Sequence, residues 1–144
     1  MKKLIFAILL AITAFSLDSC RKMPEIGNLY GQWQILSIDY GDGTKWESPK
    51  HDFYFHFNRS VAQLQERGGV TITGRLAYET DRYLTLDFPF EYSMDQLRKF
   101  GITDPSVTEP KVTDLKIRFD IDKIDSKSLI MTSQYGVTVT CRRY

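Results

Sequence analysis

The sequence is poor in the residues that build metal and catalytic sites, with only two cysteines and two histidines in 144 residues. His51 and His56 fall five positions apart in a strand-like segment, so their side chains point to opposite faces and cannot chelate one ion together. No serine or cysteine in a recognisable nucleophile elbow accompanies either histidine. The sequence therefore predicts no catalytic site, no metal site and no cofactor.

An excess of charge of either sign is also absent, because the formal net charge at pH 7 is only +1. Without residues 1–19 the chain is formally neutral, since Lys2, Lys3 and Asp18 are lost together. The sequence shows no stripe of basic residues of the kind that attracts nucleic acid or anionic lipid. We expect no nucleic-acid partner.

A hydrophobic run long enough to cross a bilayer is missing as well. The apolar stretch 4–12 is too short to span one, but two lysines precede it and the small Ser19 follows it. This order of a positive region, an apolar region and a small residue is typical of a secretory signal peptide. We predict that residues 1–19 are removed from the mature protein.

The segment around Cys20 indicates a lipid anchor. Residues 17–20 resemble a lipobox that ends at Cys20, although Asp18 departs from the usual small or apolar residue. The resemblance implies a lipoprotein signal peptide over residues 1–19 and diacylglycerol on Cys20, with an ordinary signal peptide as the alternative. Because Arg21 does not resemble the acidic inner-membrane retention signal, we expect the outer membrane. The absence of an acidic run after the anchor favours the periplasmic face over the cell surface.

The second cysteine, Cys141, has no disulfide partner within the chain if Cys20 carries lipid, and a Cys20–Cys141 bridge is the alternative. Cys141 lies among valines, where burial makes a thiol unreactive, so we expect it to be structural. Residues 20–28 then form the lipidated N-terminus and a tether. Residues 29–144 form one domain, which must be stabilised by its own core.

The domain is predicted to be all-β, because apolar and polar residues alternate along most of it. The clearest strand covers residues 115–122, where four apolar side chains occupy one face and four charged side chains the other. The same parity predicts inward-facing residues in four further strands: Phe53, Phe55 and Phe57; Val70, Ile72, Gly74, Leu76 and Tyr78; Leu84, Leu86 and Phe88; and Val137, Val139, Cys141 and Arg143. Short turns between the runs favour antiparallel pairing, and about eight such strands can close into a barrel without exposed edges. An open meander and a β-sandwich are the alternatives.

Residues in the first and last strands of the domain together form a recognisable pattern. Gly31 and Trp33 open the first strand, shortly after Leu29, and Arg143 lies in the last. A Gly-x-Trp on the first strand with an arginine on the last resembles the lipocalin and wider calycin pattern, and is most similar to small lipocalin-like lipoproteins of Gram-negative envelopes. The resemblance implies an eight-stranded antiparallel up-and-down barrel in which the arginine packs across the tryptophan at the closed bottom. It assigns barrel closure to Gly31, Trp33 and Arg143, with Arg142 as the second choice for the arginine.

One short helix is predicted between the fifth and sixth strands. Ser93 and Gln96 form a capping box, and Gly101 supplies the glycine that follows a helix end. The apolar face of the helix consists of Met94, Leu97 and Phe100. Because two turns do not hold alone in water, this face needs a surface to cover. We expect residues 93–101 to form a lid over the barrel mouth, with a fixed plug that completes the core as the alternative.

Aromatic residues make up 13% of the chain, and their inward parity suggests a pocket for a small apolar or amphipathic ligand. The candidate ligand-binding residues are Phe53, Phe55, Phe57, Leu76, Tyr78, Leu86 and Phe88. Gly74 and Ser37 share their strands' inward parity and would leave room for the ligand. A core filled by its own side chains is the alternative, because an eight-stranded barrel is only just wide enough for them.

Two functions follow from these features. The first is an envelope-tethered binding protein for a small hydrophobic ligand, attached to the membrane through its lipid anchor and without enzymatic activity. The second is a scaffold, in which a filled barrel presents a loop or helix to another envelope protein as an accessory or inhibitory module. The sequence identifies no protein partner, and the fold by itself does not choose between the two functions.

Overall fold

The computed structural model describes residues 26–48, 50, 52–79 and 81–144. The predicted signal peptide, Cys20 and most of the tether lie outside the described residues, as does His51, and what was predicted for them stays a prediction. In the described part of the chain, no helix is long and apolar enough to cross a membrane.

The described part of the chain contains eleven strands and one α-helix, joined by turns and loops. The strands are β1 (Gly31–Asp39), β2 (Lys45–Glu47), β3 (Phe53–Asn58), β4 (Val61–Glu66), β5 (Thr71–Glu79), β6 (Tyr83–Phe88), β7 (Tyr92–Ser93), β8 (Lys111–Val112), β9 (Leu115–Ile124), β10 (Ser128–Ser133) and β11 (Thr138–Arg143). Helix α1 covers Met94–Arg98, and a 3-10 turn at Gly27–Leu29 precedes β1. The predicted cap is present, since the Ser93 hydroxyl accepts a hydrogen bond from the Gln96 amide at 3.4 Å.

Eight of these strands close into an antiparallel barrel in the order β1, β3, β4, β5, β6, β9, β10, β11. The last strand returns to the first, and in this ladder Trp33 lies opposite Arg143. The predicted all-β barrel is therefore confirmed, and the open meander and the sandwich are excluded. Helix α1 falls between the fifth and sixth barrel strands, β6 and β9, as predicted.

Three short strands lie outside the barrel. Strand β2 pairs with the last residues of β1, while β3 pairs with the first residues of β1 on the same side. Strands β7 and β8 pair with each other in the connection that carries α1. The sequence pattern predicts none of the three, because two or three residues are too few to show an alternation.

The inward-facing residues predicted from strand parity form most of the core. Fully buried examples are Phe55, Phe57, Leu84, Leu86, Phe88, Ile117, Phe119 and Val139. Val70 and Ser37 differ from the prediction. Val70 precedes β5 and is 41% exposed. A β-bulge shifts the register of β1 after Ile35, so the next core residue is Ile38, and Ser37 is only partly buried.

The end of the barrel at which β1 begins, called here the Trp33 end, is closed by an indole and a guanidinium. Trp33 is fully buried, and its Nε1 donates a hydrogen bond to the Leu29 carbonyl oxygen at 2.9 Å. The Arg143 guanidinium carbon lies 3.9 Å from the centre of the Trp33 ring, and Arg143 also donates to two main-chain carbonyls before β1. Gly31 makes room for it, because a Cβ there would lie 2.8 Å from the Arg143 Nη1 atom. This is the arrangement that the family resemblance implied.

The opposite end, called here the helix end, is covered by the connection between β6 and β9. Leu97, Phe100 and Ile102 from this connection are all buried. Gly101, at φ +76°, lets the backbone approach the barrel rim, because a Cβ there would lie 2.7 Å from a methyl carbon of Val139. The segment after α1 is therefore seated tightly on the barrel.

Candidate functional site

The interior residues predicted to bind a ligand pack against one another. Phe55, Phe57, Leu86 and Phe88 are fully buried, and the rings of Phe55 and Phe57 stack with their centroids 5.5 Å apart. The prediction of free room at Gly74 is wrong, because a Cβ there would lie 2.9 Å from a ring carbon of Phe88. The aromatic ring of the neighbouring strand occupies that space.

Of the two predicted residues on β5, only Leu76 lies in the core. Tyr78 pairs with Leu84 next to the β5–β6 turn, which is the end of β6 opposite to the connection that carries α1. Its hydroxyl donates a hydrogen bond to Asp81 at 2.8 Å. Burial, reinforced by this hydrogen bond, raises the pKa of Tyr78 to about 12. Tyr78 is therefore separated from Phe53 and the helix end.

Phe53 links the barrel interior to the helix end. Its ring meets the ring of Phe100 edge-on, with 5.4 Å between the centroids, and meets the ring of Trp46 in the same way at 5.3 Å. Phe100 in turn lies 6.3 Å from Phe55. The aromatic side chain that follows α1 is thus inserted between the core and the partly exposed rings outside it.

Helix α1 turns its predicted apolar face toward the barrel, with Leu97 and Phe100 buried and Met94 partly exposed at the edge. The Tyr40 hydroxyl donates a hydrogen bond to the main-chain carbonyl of Arg98 at 2.8 Å, and the Arg98 guanidinium carbon lies 4.7 Å from the Tyr40 ring centre. Burial raises the pKa of Tyr40, and the Arg98 guanidinium beside it partly offsets this effect. Tyr40, which the sequence did not mark as functional, fastens α1 to the end of β1.

A groove of about 780 Å³, called here the mouth groove, lies beside α1 at the helix end. Its walls come from the β1–β2 turn, α1, the loop 103–110 and the β10–β11 turn. Apolar contact surface is supplied by Met94, Pro105, Val107 and Pro110. The groove is therefore formed by the connection that carries α1, together with two turns.

The mouth groove carries more negative than positive charge. Its ionisable acids and its one guanidinium are Asp42, Asp95, Asp104, Glu109 and Arg98. Asp104 accepts a hydrogen bond from the Tyr135 hydroxyl at 3.0 Å, which ties the loop to the β10–β11 turn. Burial works to raise the pKa of Asp104, but hydrogen bonds from Ser106 and Tyr135 hold it below its usual range. The groove thus offers fixed negative charge next to apolar surface.

A smaller cleft of about 270 Å³ adjoins the mouth groove and shares Tyr40, Asp95 and Arg98 with it. Trp46 and Phe53 form its aromatic wall. From this cleft a series of rings leads into the barrel, each in contact with the next: Trp46, Phe53, Phe100, Phe55 and Phe57. Phe100 is the central member of the series, and it is the one carried by the connection rather than by a barrel strand.

Reactive side chains are scarce around these grooves. Among the residues that the structure describes, no three His, Cys, Asp or Glu side chains come together as a metal site would require. Cys141 is buried in the barrel, and burial raises the pKa of its thiol well above the ordinary value. A thiol in that state is a poor nucleophile.

Sequence reasoning missed the mouth groove and the roles of Tyr40 and Arg98. The walls of the groove come from four segments far apart in the chain, and no periodic pattern relates them. One signal did point to the region, namely the length of the connection from Phe88 to Thr113. Long connections in compact domains are usually functional or disordered.

Comparisons with known proteins agree with the barrel geometry. The family profile of the lipocalin-like domain matches residues 13–144. A lipocalin-like protein from Bacteroides uniformis has a similar crystal structure, with a TM-score of 0.55 and 18% identity over 82% of this chain and 100% of that one. An uncharacterized protein from Bacteroides eggerthii is similar to the same degree, with a TM-score of 0.55 and 15% identity over 81% of this chain and 99% of that one. No curated protein matches the sequence. Because the profile match covers most of the sequence, the chain belongs to the family of lipocalin-like domains.

Proposed function

We propose that this protein is an envelope-tethered binding protein that holds a small amphipathic molecule at the helix end of its barrel, without catalysis of its own. The lipocalin-like fold is a scaffold suited to small ligands. The observation that carries the proposal is the mouth groove, in which apolar side chains and carboxylates face the same space. Small-molecule sites are typically concave and combine apolar walls with a few placed polar groups.

The polar part of such a ligand would lie in the mouth groove. Asp95 and Glu109 have no ion-pair partner among the described residues, so both are available to a cationic group. The groove has four carboxylates and one guanidinium, that of Arg98, which is stacked on Tyr40, so negative charge is in excess there. We therefore expect a positively charged head group to bind better than a negatively charged one.

The apolar part would follow the series of aromatic rings into the barrel. For this to occur, Phe100 has to leave its place between Phe53 and Phe55, which requires α1 to lift from the mouth. In this proposal Met94, Leu97 and Phe100 act as the lid, and the interior Phe and Leu side chains contact the ligand only after it opens. The hydrogen bond that fastens α1 to Tyr40 contributes to the free energy of that opening, together with the burial of Leu97 and Phe100.

Two single-chain amphiphiles with the same tail test the proposal, namely dodecyltrimethylammonium and dodecanoate, each below its micelle concentration. The cationic one should bind about five- to tenfold more tightly, as exposed charge pairs contribute up to about 1 kcal/mol each. Asp95→Asn should reduce that preference. Asp120→Asn is the matched control, because Asp120 lies on β9, outside the groove, with its side chain 62% exposed.

Hydrogen exchange on the same samples distinguishes a lid from a plug. If α1 is a lid, amides 94–100 exchange faster than those of β9, and the cationic amphiphile slows them. If those amides are as protected as β9 and neither amphiphile alters them, α1 is a fixed plug and binding of amphiphiles at this end is contradicted.

The anchor is proposed on the signal-peptide and lipobox pattern alone. Cys20→Ser should release the protein from the membrane fraction, whereas Cys141→Ala, which removes the other thiol, should leave it there. We expect the wild-type protein in the outer membrane, on the periplasmic face. A Cys20→Ser protein that still sediments with membranes in detergent-free buffer would contradict the anchor.

A scaffold for another envelope protein is the second candidate, and the packed interior favours it. Phe55, Phe57 and Phe88 fill the barrel, and both of its ends are covered. Purification of the protein from its own membrane separates the two candidates. A co-purifying small molecule supports the binding protein, and a stoichiometric protein partner supports the scaffold.

A further inference from the structure

One outer wall of the barrel, formed by β1, β3, β4 and β5, carries hydrogen-bonding side chains in two rows across the strands. The rows follow the strand registers: Gln34, Tyr54, Gln65 and Thr71 in the first, and Gln32, His56, Gln63 and Thr73 in the second. Neither row contains a carboxylate or a lysine. This surface is called here the amide wall.

The side chains of the amide wall contact one another above the backbone. The Gln32 Nε2 atom reaches across β3 and donates to the Gln65 Oε1 atom at 3.3 Å, and the Gln65 Nε2 atom donates to the Gln63 Oε1 atom at 3.4 Å. Below them the Gln34 Nε2 atom donates to the Tyr54 hydroxyl at 3.3 Å, and Arg67 donates to the same hydroxyl at 2.7 Å. Gln32, Gln63 and Gln65 are thus held in place by one another, and a primary amide has more donors and acceptors than these contacts use. Gln34 is buried, and its Oε1 atom accepts from Arg142 at 2.6 Å, so it supports the wall from below.

An exposed aromatic ring borders this network. Tyr144 follows β11 and folds back on the wall, where its amide donates to the Gln32 carbonyl and its ring meets Tyr54 edge-on at 5.1 Å between centroids. Tyr144 is 65% exposed. The two tyrosines line a depression of about 330 Å³ together with Gln32, Gln65 and Thr71 and the charged residues Glu66 and Arg67.

The rest of the barrel surface differs from the amide wall. On β5, β6 and β9 the outward-facing side chains include ion pairs, namely Arg75 with Asp87 at 3.8 Å and Arg118 with Asp120 at 2.8 Å. Charged side chains of this kind are common on strand faces that are exposed to solvent. An array of four glutamines without a carboxylate among them, next to an exposed ring, is therefore not a general feature of this barrel.

We propose that the amide wall binds a neutral oligosaccharide. A sugar hydroxyl both donates and accepts hydrogen bonds, as does a glutamine amide, so a row of amides complements a row of hydroxyls. The apolar face of a pyranose ring needs an aromatic surface, which Tyr144 offers beside the amides. Neighbouring strands are about 4.8 Å apart, so the rows present polar groups at a regular spacing along an extended ligand.

The charges at the border of the wall favour a neutral ligand. Glu66 is paired with Lys99 at 3.5 Å, and Asp52 lies 4.0 Å from Arg67. These pairs satisfy the carboxylates nearest to the depression, and Arg142, which donates to the Gln34 Oε1 atom at 2.6 Å, is held by the wall itself. The wall lies outside the mouth groove, so this proposal does not depend on the binding of an amphiphile there.

Titration of the Cys20→Ser chain with neutral hexasaccharides of β-1,4-linked glucose, mannose and N-acetylglucosamine tests the proposal. We expect at least one of them to shift amide NMR signals of β1, β3 and β4, and to leave those of α1 unchanged. Tyr144→Ser and Gln65→Ala should each weaken that binding by about tenfold, since each removes one ring or hydrogen-bond contact with the ligand.

Phe90→Ser is the matched control for Tyr144→Ser, because Phe90 is 69% exposed, lies in the connection after β6 and does not line the depression. It should leave the affinity unchanged. Thermal unfolding of each variant identifies any that fails to fold. Because the Tyr144 side chain lies at the surface, we expect Tyr144→Ser to fold, so its affinity can be compared with that of the wild type even if Gln65→Ala does not fold. The proposal is overturned if none of the hexasaccharides shifts these signals at millimolar concentration, or if both wall variants bind as the wild type does. It is also overturned if the wall retains a stoichiometric protein that Tyr144→Ser releases, while no saccharide binds.

Discussion

The two ends of this barrel are closed by different means. At the Trp33 end, closure comes from residues on the barrel strands themselves, because Arg143 of β11 lies across Trp33 of β1. At the helix end, closure comes from a connection that is inserted between two strands, and its contacts include the buried side chains of Leu97 and Phe100 and the hydrogen bond from the Tyr40 hydroxyl. The residues that close the Trp33 end therefore belong to the barrel strands, whereas those that close the helix end belong to a separate segment that packs against the barrel.

This difference separates stability from access. The Trp33 end cannot open without breaking the β1–β11 ladder, so its opening amounts to global unfolding. The helix end can open if a short segment leaves the mouth, while the eight strands remain paired. Local opening of this kind has a lower free energy than global unfolding, and functional segments are drawn from such regions. Substitutions at the two ends should therefore produce different kinds of loss.

The largest effect is expected from Trp33→Ala. Truncating a buried tryptophan costs about 3–5 kcal/mol, a large share of the roughly 5–15 kcal/mol that stabilises a typical domain. Chemical denaturation of Trp33→Ala should show this loss in all probes at once, because β1 and β11 lose the ring on which they close. Trp46→Ala is the matched control, since Trp46 is only partly buried on the short strand β2. Equal losses for the two variants would remove the distinction between the ends.

A smaller global loss is expected from Phe100→Ala, about 2–3 kcal/mol, because the connection can partly fill the space that the ring leaves. Its specific effect should be local. Hydrogen exchange of amides 94–100 should accelerate much more than that of β9, since the helix end loses its main inserted side chain. Uniform acceleration across the barrel would mean that this end is as much a part of the cooperative core as the other.

Arg143→Ala should cost about 1–2 kcal/mol, through the lost cation–π contact and the lost packing of its aliphatic carbons. A double-mutant cycle of Arg143→Ala with Trp33→Phe isolates the contact between the two side chains. We expect a favourable coupling energy, because the guanidinium carbon lies only 3.9 Å from the ring centre. A coupling of zero would show that each residue stabilises this end independently of the other.

The smallest effect concerns the rate of a reaction rather than stability. In the Cys20→Ser chain Cys141 is the only thiol, and burial raises its pKa, so a disulfide reagent should modify it only when the barrel opens. Its modification should be slow in the wild-type background and faster in Trp33→Ala. Phe100→Ala should change the rate less, because Cys141 pairs with Ile35 on β1 rather than contacting the helix end. A rapid reaction in the unmodified barrel would contradict the burial of this residue.

Much of the barrel could be predicted from the sequence, because parity and turn residues report directly on which side of a strand is buried. For the strands that contain residues 53–57 and 115–119, the alternation of apolar and polar residues was enough to predict which side chains are buried. The capped helix was predicted for the same local reason, since Ser93 and Gly101 act within one short segment. To predict that the barrel closes, the Gly-x-Trp resemblance was also required, because local patterns do not reveal that the first and last strands pair with each other.

What could not be predicted depends on contacts between distant segments. The bulge in β1 that turns Ser37 away from the core is set by its pairing with β11, not by its own sequence. The space at Gly74 is taken by Phe88 from the next strand, and parity alone does not show this. The amide wall was visible only as polar alternation, because Tyr144 folds back onto it from another part of the chain.

The pairing of β11 with β1 also has a consequence for the order in which the protein folds. Gln34 and Arg142 are 108 residues apart, yet their side chains are hydrogen-bonded across the final ladder. Proteins dominated by such non-local pairing fold in roughly milliseconds to seconds, because a long loop must close before the contacts repay its entropy. For this reason we expect the β1–β11 ladder to form late, and a chain in which β1 and β11 are still unpaired exposes strand edges that can pair with another chain. The pairing that closes the finished barrel therefore also removes the edges through which the chain could aggregate.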